Sequence, residues 1–256
     1  MKIAAVILAR IASTRLERKV LLDLGGIPVL AHVLRRSWKF PGVTDAKNGR
    51  GVVLALPEGD KENELASLGE EYGAKVVRGD EENVLSRLLK AADEAEADVV
   101  YRVTADNPLV DPGVVAQTWR GFSSGSWDYA AMDDTPLGTT VEIVTVDALR
   151  RAEKIADAPR LREHPTLALY ENSNRFKMLL IPSPEKWKHP EWRLTVDREA
   201  DFRVVRTIIG ALGPDADLNS IVPYLLEHPQ VAAINSEVGQ DGWQSLKERK
   251  DAIGHE

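Results

Sequence analysis

Four cations and two hydroxyls crowd into ten residues near the start of the chain: Arg10, Ser13, Thr14, Arg15, Arg18 and Lys19. They follow an apolar run, Ile3 to Ala9, whose length and lack of charge fit a buried parallel strand. In open α/β sheets ligands bind at the carboxyl ends of the strands, so this loop stands where a ligand is expected. Cations this close repel one another unless they share an anion, and a polyphosphate meets that condition. A solvated basic surface loop meets it too, so the loop alone does not choose. It lacks the glycines and the Gly-Lys-Ser/Thr ending of a P-loop, and no Gly-x-Gly-x-x-Gly follows the strand.

Two carboxylates sharpen the reading. Asp106 follows the apolar run Val99-Val-Tyr-Arg-Val103, and Asp197 closes Trp192-Arg-Leu-Thr-Val-Asp197. Each has a purely structural alternative, a turn cap for Asp106 and a helix N-cap for Asp197. Together with the cationic loop they make a coherent site for a divalent metal and a triphosphate, since hard oxygen ligands suit Mg²⁺. Arg78-Gly79 ends another apolar stretch, and Arg87 lies eight residues beyond Gly79. Gly79 permits a sharp turn and close approach of a ligand to the backbone, with Arg78 or Arg87 reading a base or ribose; a plain strand-to-helix turn accounts for it equally. Glu142 and Glu163-His164 form a further group, with His164 a candidate to bind or deprotonate an acceptor, and Lys186, Lys188, His189 and Arg193 are candidates to bind an acidic acceptor. A lone His is more often a satisfied core or surface residue. Asp215-Ala-Asp217 has the form of a metal-binding Asp-x-Asp, but it sits in a turn after Gly213-Pro214 rather than after a strand.

The elements that position these residues read as alternating strands and helices. Strands are expected at Ile3–Ala9, Gly51–Leu56, Ala74–Arg78 and Asp98–Val103, and helices at Pro28–Phe40, Asp60–Tyr72 and Asn83–Ala95. Such alternation predicts an α/β fold, a mainly parallel mixed sheet flanked by helices. The second half is less regular. Helices are expected from Asp111 through Gly121 and at Asp147–Ala156, Leu161–Asn172, Glu199–Leu212 and Leu218–His228. Strands are expected at Asp128–Met132, Val141–Val146 and Phe176–Ile181, and Arg193–Val196 as a short extended piece. The polar stretch after Asn235 reads as helical. A single domain over all 256 residues is expected, with an excursion at about 135–191 for acceptor or subunit contact.

Composition narrows the classes. With no Cys, disulfides, thiolate metal sites and cysteine nucleophiles are excluded. A formal net charge of −7 disfavours a nucleic-acid or acidic-membrane surface, which leaves a small anionic ligand for the local cationic loop. The first apolar run is too short to span a bilayer, and a cytoplasmic protein is expected.

The motifs together resemble the SpsF-like cytidylyltransferase family and, more distantly, the CMP-sugar-acid synthetases. The opening Ala9-Arg10-Ile-Ala-Ser13-Thr-Arg15-Leu16-Glu-Arg-Lys19 is similar to that family's Ala-Arg-x-x-Ser-x-Arg-Leu-x-x-Lys signature. A co-linear series follows: Leu24-Gly-Gly-Ile-Pro28, Arg78-Gly79 with Val84-Leu-Ser-Arg87, Arg102-Val-Thr-Ala-Asp106-Asn-Pro108, Gly138 to Glu142, Arg162-Glu-His164 and Arg193-Leu-Thr-Val-Asp197. The resemblance implies a Rossmann-like nucleotide-diphospho-sugar transferase fold and transfer of CMP from CTP to an acceptor with release of pyrophosphate. It implies that Arg10, Ser13, Arg15 and Lys19 hold the triphosphate and that Arg78, Gly79 and Arg87 lie near cytosine and ribose. It also implies that Leu8, Ala9 and Thr104 line the nucleotide site and that Asp106 and Asp197 bind Mg²⁺. Arg10, Arg15, Lys19 and Asp106 are then the catalytic set, Glu142, His164 and Arg193 face the acceptor, and a homodimer is expected. The chain departs from the family pattern at Ala12, where Gly is usual, and at Glu17-Arg18, where Pro-Gly is usual.

A phosphonate, a phosphorylated small molecule or a sugar acid are the acceptors expected, in cell-surface or specialised-metabolite biosynthesis. An acceptor oxygen already ionised at neutral pH needs no general base, and His164 is the main candidate base. Two other readings remain at this level: a glycosyltransferase of similar fold using a nucleotide sugar, and a nucleotide-binding protein without turnover.

Overall fold

The computed structural model describes residues 1–43 and 51–239. Seven strands form one sheet: β1 (Ile3–Leu8), β2 (Val52–Pro57), β3 (Lys75–Gly79), β4 (Val99–Thr104), β5 (Tyr129–Asp133), β6 (Glu142–Thr145) and β7 (Met178–Pro182). Their order is β3-β2-β1-β4-β6-β5-β7. The first four pair in parallel, β6 inserts antiparallel between β4 and β5, and β7 runs parallel to β5. The α/β class, mainly parallel mixed sheet and flanking helices expected from the sequence are all present.

Alternation along the strands explains why both faces are covered. Ala4 and Val6 of β1 pack on one side with Leu85, Leu88 and Ala92 of α3 (Val84–Glu94) and Leu149 of α5 (Val146–Glu153). Ala5 and Ile7 pack on the other with Leu30 and Leu34 of α1 (Val29–Ser37), Leu65 of α2 (Asn63–Glu71) and Val115 of α4 (Pro112–Ser123). Each of these leucines is fully buried, worth about 2 kcal/mol apiece in apolar transfer. The helix starts follow capping chemistry. Asn83 accepts from Ser86 N at 3.0 Å, and Asp111 accepts from Gly113 N at 2.7 Å just ahead of Pro112.

One expectation is corrected and two others take definite form. The helix expected over Leu161–Asn172 is broken into α6 (Pro159–Glu163) and α7 (Leu167–Glu171). Pro165 is the cause: it bars its predecessor from the helical region, and His164 is extended at φ −109, ψ 93. The segment 135–191 supplies β6 and β7 to the sheet, where strands were expected at Val141–Val146 and Phe176–Ile181. Arg193–Val196 is extended but joins no ladder; it is held by the bridge Leu137↔Arg193 and by Val196 N donating to Asp106 O at 2.8 Å.

Beyond it, α8 (Glu199–Leu212), α9 (Leu218–Glu227) and the short α10 (Pro229–Ala232) build a third apolar cluster against Val29 and Val114. Residues 236–239 form a turn and coil, and the rest of the helix expected after Asn235 lies outside the described residues. No helix among the described residues is long and apolar enough to cross a membrane.

Candidate active site

The carboxyl ends of β1 and β4 are adjacent, with Leu8 registered against Thr104. They form the floor of a cavity of about 400 Å³ lined by Leu8, Ala9, Thr104, Ala105 and Asp106. One wall is the cationic loop, contributing Arg10, Ala12, Ser13, Thr14, Arg15 and Lys19. Val84 and Arg87 of α3 close another side, and Arg102, Glu163, His164 and Pro165 complete the lining.

The electrostatic centre is Lys19. Its ammonium donates to Asp106 Oδ2 at 2.5 Å and to Asp197 Oδ1 at 2.7 Å. Arg15 joins the cluster, its guanidinium 2.9 Å from the same Asp197 oxygen. Burial favours the neutral amine, but the two carboxylates outweigh it and hold Lys19 above its ordinary value. Burial likewise pushes Asp106 up, and the Lys19 charge and hydrogen bond overrule it and hold the carboxyl below its ordinary range. Neither acid spends its carboxylate on capping. At the α8 N-terminus it is Asp201 that accepts from Arg198 N, at 3.1 Å.

A backbone device brings the two carboxylates together across the fold. Val196 N and Thr195 Oγ1 both donate to Asp106 O, at 2.8 and 3.3 Å, which pins the chain before Asp197 to the Asp106 turn. Gly138 makes room for this segment. Its φ is +96°, and a Cβ there would stand 2.7 Å from Thr195 N.

The departures in the loop fall in different places. Ala12 lines the cavity and is not at positive φ. Arg18 occupies the left-handed region at φ 50 and turns outward to pair with Glu64 of α2. Glu17 is exposed and outside the cavity lining. The loop is anchored from behind by Glu62, fully buried, which accepts from Ile11 N at 2.9 Å. Burial raises the Glu62 carboxyl and that hydrogen bond partly opposes the rise.

Several expected site residues are placed elsewhere. Arg78 does not reach the cavity lining: its guanidinium donates to Gly59 O and Asn63 Oδ1, both at 2.7 Å. Gly79 has no positive φ, and its missing Cβ admits Arg87, whose Cγ would lie 3.1 Å away. Arg87 does line the cavity, with its guanidinium held on Asp80 O and Glu81 O.

Glu142 is a buried residue of the wall's support. It accepts from Arg102 Nε, from Thr166 Oγ1 at 2.9 Å, from Tyr129 OH at 2.9 Å and from Tyr170 OH at 2.8 Å. Arg193 is also buried; it pairs with Asp201 at 3.2 Å and lies 3.6 Å from Asp197. Lys186 binds Asn219, and His189 stacks on Trp192. Asp215 pairs with Lys39, and Asp217 caps α9.

His164 faces the cavity from the break between α6 and α7. Burial first, then the charge of Arg102, hold it below the ordinary imidazole value against the opposite pull of Glu163. The sequence gives Arg102 no role of its own, although period-two alternation puts it on the same face of β4 as Thr104, and both line the cavity.

The profile of the cytidylyltransferase family matches residues 4–209. An uncharacterized protein of Methanocaldococcus jannaschii is 33% identical over 97% of this chain and 100% of its own length. The spore coat polysaccharide biosynthesis protein SpsF of Bacillus subtilis is 30% identical over 89% of this chain and 95% of its own. Among solved structures, a cytidylyltransferase from Leptospira borgpetersenii superposes with a TM-score of 0.83 at 24% identity, covering 91% of this chain and 97% of that one.

Proposed function

The chain belongs to the cytidylyltransferase family and is a nucleotidyltransferase that moves CMP from CTP; we propose that its acceptor is a small anionic molecule, a phosphonate, a phosphorylated compound or a sugar acid, and that pyrophosphate leaves. The observation that carries this reading is the convergence of Lys19, Arg15, Asp106 and Asp197 at one end of a cavity that the Arg10–Ser13 loop also lines. The relationship to a polysaccharide biosynthesis protein supports a place in cell-surface biosynthesis. The family resemblance supports a homodimer.

The residues fit Mg²⁺. Asp106 and Asp197 supply hard carboxylate oxygens that already converge on one cationic point, the Lys19 ammonium. Bound there, the metal would neutralise charge on the phosphate oxygens. The chain's own residues do the rest. Arg10, Arg15, Lys19 and Ser13 hold the triphosphate, and the cations among them stabilise the departing pyrophosphate, so catalysis is positioning and electrostatics. With CTP bound, Lys19 exchanges part of its carboxylate contact for phosphate. Leu8, Ala9 and Thr104 support the nucleotide from below, and Arg87 stands on the base side. His164 faces the cavity where an acceptor would enter, and an acceptor oxygen ionised at neutral pH attacks the α-phosphorus without needing it as a base.

Pyrophosphate release tests the reading. Purified protein with CTP and Mg²⁺ is offered a sugar acid, an aminoalkylphosphonate and a sugar phosphate. Release with one of them, dependent on Lys19, is the expected result. Release of a nucleoside diphosphate from a nucleotide sugar instead would refute it.

A further inference from the structure

Resting on the transferase reading above, we infer that Arg102 binds the acceptor's anionic group and that Glu142 is the positioning residue that aims it. The first observation is register. Arg102 on β4 lies directly opposite Glu142 on β6, so the antiparallel insertion of β6 puts a carboxylate beside this arginine. Arg102 lines the cavity and Glu142 does not. The Nε edge of the guanidinium is held by Glu142, which fixes the plane of the group against the floor.

The second observation is that Glu142 holds more than Arg102. Its oxygens also take Thr166 Oγ1 and the hydroxyls of Tyr129 and Tyr170. With four donors on one carboxylate, the group is held immobile. Thr166 directly follows His164 and Pro165, which line the cavity. One buried acid therefore ties the β4 floor to the α6–α7 break, and sets the distance between Arg102 and His164.

The third observation is that the two wall residues sense one another. The charge of Arg102 disfavours protonation of His164. The positive field of Arg102 thus reaches the cavity despite its pairing with Glu142. An anion bound between them would relieve that repulsion and would be gripped by a planar donor group suited to carboxylate and phosphonate alike. The same cavity is lined by the Arg10–Lys19 loop, so donor and acceptor anions would each meet their own cations. Specificity between carboxylate and phosphonate is left to the ligand's shape.

The test uses the full chain and two probes, methylphosphonate and acetate, with CTP and Mg²⁺ present so that the cationic loop is filled. The His164 ring is followed by NMR, assigned with His164→Gln. The expected result is that one probe shifts the ring resonances and raises the His164 pKa by about one unit. Arg102→Met should abolish that response and weaken the probe about tenfold or more, with CTP affinity changed by less than about twofold. Glu142→Gln should give an intermediate loss with the same split between probe and CTP. Response to methylphosphonate alone marks a phosphonate or phosphate acceptor, and response to acetate alone a carboxylate.

No response to either probe in the unaltered protein overturns the inference, as does an equal response in Arg102→Met. If Arg102→Met does not fold, Glu142→Gln and Thr166→Val decide in its place. Failure of CTP to bind would instead overturn the transferase reading, and the probes still report on the wall in the nucleotide-free protein.

Discussion

Asp106 and Asp197 share a single counter-ion, the Lys19 ammonium, although they lie in different parts of the chain. The hydrogen bonds from Val196 N and Thr195 Oγ1 to Asp106 O enforce this meeting. Two carboxylates held together repel, so the pair is stable only with a cation between them, a place the Lys19 ammonium takes.

Lys19→Ala is therefore expected to lower turnover of CTP by about a hundredfold or more, since it removes a cation from the leaving group. It should also lower the metal-free Tm, and Mg²⁺ should recover more Tm in the variant than in the parent. Calorimetry with and without Mg²⁺ checks this; an unchanged rate would remove Lys19 from the mechanism.

The same cluster sets a pH dependence. Lys19 titrates above 10.5 in the folded chain, so its contribution is complete below the unfolded value and fades as pH rises through the folded one. Asp106 titrates below 3.8, so its contribution is complete above that value and is lost as pH falls through the folded one. Tm should be flat between these limits as far as this cluster is concerned. In Lys19→Met burial acts on the Asp106 carboxyl without the lysine's opposing charge, so Asp106's share of the acid loss of Tm should shrink.

Arg193→Met should act through Asp197 rather than through the acceptor. The arginine pairs with Asp201, which also accepts from Asp197 N at 3.3 Å and from Asn235 Nδ2 at 2.8 Å. Breaking a buried pair costs about 3 kcal/mol, readable by urea unfolding. The Mg²⁺ concentration needed for half-maximal rate should rise, while KM for the acceptor stays within about twofold of the parent.

Gly138→Ala should cost about 2 kcal/mol or more, because the new methyl meets the backbone at Thr195 and Leu194 in a left-handed conformation. Thermal denaturation measures the loss. Activity should fall further than stability alone accounts for, since the displaced segment carries Asp197.

Much of this was legible in the chain, for identifiable reasons. The continuous apolar runs of β1 and β4 are short, charge-free and bounded by polar loops, so the positions of Lys19 and Asp106 at one sheet edge could be read directly. The break at Pro165 was equally present in the sequence, but the helical spacing around it masked the proline's effect on His164. Glu142 and Arg193 were less accessible. Their partners, Arg102 forty residues away and Asp201 one helix turn into α8, are set by an antiparallel register and a tertiary turn that no local pattern encodes. Both read as free charges near the site and are in fact spent on its scaffold. Gly79 illustrates the same limit: its lack of a side chain makes room for Arg87, a tertiary reason that no local pattern encodes.

The central claim, a CTP site built by the cationic loop and the Asp106–Asp197 pair, is tested most directly by thermal stabilisation with CTP, UTP, ATP, GTP and UDP-sugars, each with and without Mg²⁺. Ligands that bind the folded chain alone raise its Tm. A rise selective for CTP, enlarged by Mg²⁺ and lost in Asp106→Asn, is the expected result. A rise with nucleotide sugars only, or none with any nucleotide, would contradict it.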